Sequence, residues 1–434
     1  HGTLMYWYNF LGLFAIGCLN NLNYVIINSQ SQDISKYFNE EGNIGIIILA
    51  NVSMGLIVQS ANTFFLQCIP HSIRISVNGL IGLCGLAGVA FSMYLPDIRG
   101  YIISVISVMA IGTASTFGEI VILGYLKIFP NDVVSGWGSG TGMAGVAGAG
   151  LALAIAPIPM KYRYFVLFPL SILYVIIWFT LIQPPPKDLR IDAKKKQKDL
   201  IDGKVTDGVD SEDIQVVEKA TKTEKKSLLD NNVEEEIHSE EKPQEKGIKK
   251  IGSKIVWGIQ FFFISLKKSW WWSLNLLAVY WFEYVIVYGC ANARTLEYSV
   301  QEEFVNVVDE FFKKNAFYII SLCYQIGVII SRTSLKCFKI RQIWMITVFQ
   351  AFLLFFWVAE GYFAVTPIYL LFPLAIVVGL LGGASYVNVY YLFLTNEDMT
   401  PQEREFCVNL CALGVTVGIT SSSFTTTLLN WTIY

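Results

Sequence analysis

The chain has 434 residues, of which 54% are hydrophobic and only 15% charged, and its formal net charge is -2. Soluble domains carry roughly 25% charged residues, so this composition excludes a soluble globular protein and points to many membrane crossings. The slightly negative balance offers no basic surface for a nucleic acid.

A membrane span needs roughly 20 apolar residues, and about eleven segments meet that criterion. They lie near 4–27, 44–68, 74–95, 101–128, 133–158, 163–183, 270–290, 315–335, 342–360, 366–392 and 405–430. The chain begins at His1, without Met, and is expected to be a fragment or trimmed product.

The first span carries Asn20, Asn21, Asn23 and Tyr24. Amides inside a bilayer either hold a ligand or lock helices together. The fourth span carries Glu119, with apolar sequence on both sides. An isolated carboxylate at the membrane centre costs roughly 2.5–3.5 kcal/mol, so it is expected to be protonated, paired or hydrated.

The fifth span contains Val134 to Gly150, VSGWGSGTGMAGVAGAG. In water such a run would be a flexible linker, but a bilayer forces it to be helical. Gly138, Gly142, Gly145 and Gly148 then leave a groove, either for tight helix packing or for a substrate. Ser135, Ser139 and Thr141 add polarity that packing alone does not need.

The sixth span ends at Pro184-Pro185-Pro186. The insert from 184 to 250 holds roughly half the chain's charges of both signs and reads as a disordered linker. Within it, Glu224 with Leu228 and Leu229 fits an acidic di-leucine sorting motif that would engage sorting adaptors. Residues 251–268 interleave Trp257, Phe261, Phe262 and Phe263 with lysines, as expected of an amphipathic helix lying on an anionic leaflet. The alternative is an early start of the seventh span.

The seventh span carries Glu283 and Tyr284, and the eighth carries Gln325 and, two turns on, Arg332. Tyr386 and Asn388 lie in the tenth, within GLLGGASYVN. The eight cysteines are scattered without a C-x-x-C pair and the three histidines lie far apart, so neither a metal site nor a cofactor is expected. An intramembrane enzyme would need a nucleophile and base or metal ligands, and no H-E-x-x-H or G-x-S-x-G is present. The chain is therefore expected not to be an enzyme.

Lys and Arg in the insert, near Arg74 and from Arg332 to Arg341 fall on one side if the insert is cytosolic, which places Tyr434 in the lumen. Lys161 and Arg163 fall on the other side and count against this orientation.

Several of these stretches together resemble the battenin family, the lysosomal membrane proteins of Batten disease. VSGWGSGTGMAGVAGAG is similar to the family's V-S-x-W-S-S-G-T-G-G-A-G, with Gly138 and Met143 departing from it. Phe117-Gly118-Glu119, Glu283-Tyr284, Tyr324-Gln325 through Ser334-Leu335, Gly379 to Asn388 and Arg404-Glu405-Phe406 match further family motifs. Asn20, Asn21 and Tyr24 match the first-span motif, whereas Val287-Tyr288 replaces the family's Asn-Gln.

The resemblance implies an all-α polytopic membrane protein with the two-bundle fold of the major facilitator transporters. Its expected parts are an N-terminal bundle at 1–183, the linker at 184–250, the interfacial helix at 251–268 and a C-terminal bundle at 269–434. It also implies a lysosomal, late endosomal or vacuolar location and a role in clearing glycerophosphodiesters and in luminal pH. Basic amino-acid transport and a non-transporting trafficking role are the alternatives. The cavity candidates are Glu119, Glu283, Asn20, Asn21, Tyr24, Ser139, Thr141, Tyr284, Gln325, Arg332, Tyr386 and Asn388. The expected partners are a small substrate, protons and membrane lipids.

Overall fold

A bilayer offers no water to backbone N–H and C=O groups, so a spanning segment closes its own hydrogen bonds as a helix. The computed structural model follows this rule, with no strand among the described residues, which are 2–61, 69–95, 97–126, 128–129, 131–183, 243–296, 298, 304–333, 339–396, 398–399 and 401–433.

The first half holds α1 (Gly2–Ser29), α2 (Ser31–Tyr37), α3 (Ile44–Ser53), α4 (Gly55–Ala61), α5 (His71–Ser92), α6 (Ile98–Leu126), α7 (Asn131–Ile155), α8 (Met160–Arg163) and α9 (Phe168–Thr180). The second half opens with α10 (Pro243–Tyr284), a π-helix (Val285–Cys290) and α11 (Ala291–Leu296). It continues with α12 (Val307–Lys314), α13 (Ala316–Thr333), α14 (Ile343–Phe363), α15 (Ile368–Leu394) and α16 (Pro401–Thr432). Pro70, Pro159 and Pro367 stand at the caps of α5, α8 and α15. There the missing N–H is one that the first turn leaves unpaired anyway.

Ten described segments are long and apolar enough to cross a membrane. The expected count of about eleven is not reached at 44–68. That region is two short helices, α3 and α4, with a turn at Met54 between them and 62–68 outside the described residues. The 251–268 stretch is helical and runs without a break into the seventh span, as part of α10. The linker, including Glu224, Leu228 and Leu229, lies outside the described residues up to Pro243.

The chain divides into two units. The smaller joins the described part of 184–270 to 396–407. In it Lys268 pairs with Glu403 at 2.8 Å and Arg404 Nε donates to the Asn396 carbonyl at 3.0 Å. The larger, of 1–183, 271–395 and 408–434, contains both bundles. There α1 packs along α7, α5 along α6, and α13 along α15, while α7 and α13 join the halves.

Glycines make these approaches close. Gly136 and Gly140 of α7 lie on the carbonyls of Phe10 and Phe14 in α1. Gly327 of α13 lies on the Ile376 carbonyl, and Gly379 and Gly383 of α15 on those of Tyr324 and Val328. A Cβ at any of the five would meet backbone, which cannot move aside as a side chain can.

Candidate functional site

Three charged side chains from both halves come together. Glu283 is the penultimate residue of α10, two positions before the π-helix, and is 1% exposed. Its Oε1 accepts from the Tyr324 hydroxyl of α13 at 3.0 Å. Its Oε2 lies over Gly382 of α15, where any side chain would displace it. Arg332, near the end of α13, donates to the Tyr280 hydroxyl at 3.5 Å and places its guanidinium carbon 4.7 Å from the Tyr386 ring centre. Glu283 and Glu119, the latter half-buried on α6 of the other half, lie within electrostatic range of this guanidinium without an ion pair to it. Glu283 Oε2 and Arg332 Nε have no hydrogen-bond partner among the described residues.

Tyrosines wall this cluster. Tyr284 lies 5.2 Å from Tyr288, and Tyr386 lies 4.5 Å from Tyr390, ring centre to ring centre. The hydroxyls of Tyr24 on α1 and Tyr284 stand 3.3 Å apart and join the halves at this level. Such a site offers one cation, two carboxylates and several phenol hydroxyls, which suits a small polar molecule. A π-turn beside Glu283 fits the tendency of such irregularities to mark functional positions.

The glycine-rich face of α7 settles which of its glycines pack. Gly145 lies against Gln325 and Gly150 against Leu322, so α7 and α13 run antiparallel and touch there. One and two turns back along the same face, Gly142 and Gly138 meet no atom within 4 Å. Ser139 is exposed beside them, and Thr141 donates to the Gly138 carbonyl at 3.0 Å. Two turns along α13 from Gln325 stands Arg332, level with Gly138. α7 and α13 therefore touch at 145–150, and the α7 face beyond, at Gly142 and Gly138, is open.

At the other end the halves are bonded. Arg163, only 5% exposed, donates to Asp33 at 2.6 Å and to the Tyr318 hydroxyl of α13 at 3.1 Å. Ser29 and Ser321 hydroxyls are 2.8 Å apart. Gln32 Nε2 donates to Asn292 Oδ1 at 3.0 Å and to Thr295 at 2.9 Å. Arg163, which counts against the loop-charge orientation, is thus an inward ion-pair partner and not a free loop cation. Asp33, Arg163 and Tyr318 escape sequence reasoning because 130 and 155 residues separate their contacts, and no local spacing links them.

Three further candidates bond to neighbouring elements. Asn20 Nδ2 donates to the Ser115 carbonyl at 2.8 Å, and Asn21 accepts from the Ser115 hydroxyl at 2.7 Å, so both tie α1 to α6. Asn388 accepts from the Ile340 N–H at 2.7 Å and donates to Ala384 at 2.8 Å, holding the segment that leads into α14. Among the described residues no group of three His, Cys, Asp or Glu side chains could hold a metal ion.

The CLN3 protein family model matches residues 11–433. The chain is 35% identical over 415 residues to battenin of Dictyostelium discoideum, covering 95% of this chain and 91% of that protein. It is 26% identical to battenin of Canis lupus familiaris, covering 96% of this chain and 89% of the relative. Among solved structures it is similar to the nucleoside transporter NupG, with a TM-score of 0.58 at 14% identity over 98% of this chain and 91% of that one. It is also similar to a bacterial homologue of the human lysosomal transporter Spinster, with a TM-score of 0.58 at 11% identity over 97% and 81% of the two chains. These likenesses identify the fold as that of the major facilitator transporters, and the match along nearly the whole chain places it in the battenin, or CLN3, family.

Proposed function

We propose that the chain is a secondary transporter of the lysosomal, late endosomal or vacuolar membrane, exporting a small polar metabolite such as a glycerophosphodiester. The observation that carries this reading is Arg332, which lies within electrostatic range of Glu119 of one half and Glu283 of the other. A phosphodiester carries one negative charge, and one guanidinium in a tyrosine-walled site answers it. The insert is cytosolic and Tyr434 luminal in this reading, so the bonded end at Asp33 and Arg163 faces the lumen and the open α7 face lies toward the cytosol. Halves bonded at one end, with an open face beyond, match alternating access about a central site.

Flux in proteoliposomes of the purified chain tests the proposal. Glycerophosphodiester uptake that Arg332→Ala abolishes supports it. A second reading, basic amino-acid transport, draws on the two carboxylates outnumbering the one arginine, and lysine or arginine flux would select it. No flux of either class would leave a trafficking role through the linker. In that linker Glu224, Leu228 and Leu229 are proposed to direct sorting; Leu228→Ala with Leu229→Ala should then raise the cell-surface fraction.

A further inference from the structure

The short helix α12, between the seventh and eighth spans, turns a run of apolar side chains outward. Val305 and Val307 just at its start are 87% and 80% exposed, and Val308 and Phe311 on the same outward face are 63% and 50% exposed. Its inner face carries Asp309 and Lys313 beside Phe312, while Glu310 and Lys314 pair on the exposed flank. Asp309 accepts from the Tyr369 hydroxyl at 2.6 Å and pairs with Lys313 at 3.1 Å. The Tyr369 hydroxyl holds the Asp309 carboxyl below the usual carboxylate range. Asn306 caps the helix by accepting from the Asp309 N–H at 2.8 Å.

We infer that the outward face of α12 lies in the lipid headgroup and acyl boundary of the leaflet on the Asp33 and Arg163 side. Three observations favour lipid over a protein partner. Phe312 meets Tyr369 edge-on and Phe372 at a tilt, in the first turns of span α15, with ring centres 5.8 and 6.0 Å apart. Tyr369 and Leu370 there are exposed, as lipid-facing residues of a span are, so the apolar face of α12 continues the membrane-facing surface of the bundle. The charged side chains of α12 pair with each other, Glu310 with Lys314 at 2.7 Å as well as Asp309 with Lys313, which leaves apolar burial as the attraction. Aromatic residues at span ends, such as Tyr362 and Phe363, mark the same level.

The test uses the full chain in phosphatidylcholine vesicles, with cysteine placed singly at Val307, Val308, Phe311, Asp309 or Lys313 and carrying a nitrobenzoxadiazole probe. The unsubstituted chain, labelled in parallel, corrects for native cysteines. Lipids with a spin label near the headgroup should quench the probe several-fold more at 307, 308 and 311 than at 309 and 313, and raising the salt should not change this. Iodide quenching all five positions alike would place α12 in water and overturn the inference. Protection from both quenchers at 308 and 311 would mean a protein covers the face and would also overturn it.

Discussion

Ser29 Oγ and Ser321 Oγ sit 2.8 Å apart although 292 residues of chain separate them. One ends the first span and the other begins α13, so their contact closes one end of the interface between halves. Cysteine at both positions places two thiols within disulfide reach. Oxidised Ser29→Cys with Ser321→Cys should stop flux, and reductant should restore it. An oxidised pair that transports at the wild-type rate would show that this end does not need to open.

The two inward ion pairs should behave differently. Arg294 and Glu360 are 2.9 Å apart with side chains 3% and 4% exposed, and both lie in the second half. Breaking such a pair costs about 3–5 kcal/mol, because the remaining charge stays buried. Glu360→Gln should lower the thermal midpoint strongly without changing which side of the protein is accessible. Asp33 keeps 30% of its side chain exposed, pairs with Arg163 in its own half, and accepts from the Tyr318 hydroxyl of the other half at 2.5 Å. Asp33→Asn should cost less, about 1–2 kcal/mol after solvent screening. Its main effect should be faster alkylation of a cysteine at Thr141 by an impermeant reagent added on the Asp33 side.

Much of this arrangement is legible in the residues. Hydrophobic length alone marks most spans, since a bilayer leaves few other ways to satisfy a backbone. Glu119, Glu283 and Arg332 stand out because charge within a span is costly and therefore rare. What escapes is everything that depends on distance in the chain. No periodicity tells that Asp33 meets Arg163, or that Tyr280 and Tyr390 wall the site while Asn388 only ties down a loop. Aromatics are common in any span, and an amide looks the same whether its partner is a ligand or a carbonyl. The α3–α4 break escapes too, because an apolar run says nothing of a turn at Met54.

The glycines separate into two kinds by what a methyl group would meet. At Gly382 it would land on Glu283 Oε2, whereas at Gly138 it would meet nothing. Gly382→Ala should lower stability by about 1–3 kcal/mol, as overpacked sites do, and disturb the carboxylate. Gly138→Ala should leave the thermal midpoint unchanged or raise it, because alanine favours helix by up to about 1 kcal/mol. If substrate passes that face, flux by Gly138→Ala should still fall. A normal midpoint with normal flux would remove the face from the pathway.

Glu119 bears on coupling. It lies on α6 within electrostatic range of Arg332 of the other half, while Glu283 holds its place through Tyr324 and Gly382. A carboxylate attracted to Arg332 competes with an anionic substrate for the same guanidinium. Protonating Glu119 from an acidic lumen removes that competition and frees Arg332 for the substrate. Glu119→Gln mimics the protonated form at every pH. It should therefore keep the fold and keep substrate flux, but show none of the acceleration by luminal acid that the proposed coupling predicts for the unsubstituted chain. The measurement is efflux from vesicles over a series of luminal pH values, with Glu283→Gln alongside. Loss of its anchoring to Tyr324 should make Glu283→Gln slower at all pH. A Glu119→Gln variant with both wild-type rate and wild-type pH response would show Glu119 to be structural, and the competition for Arg332 would not be the coupling step.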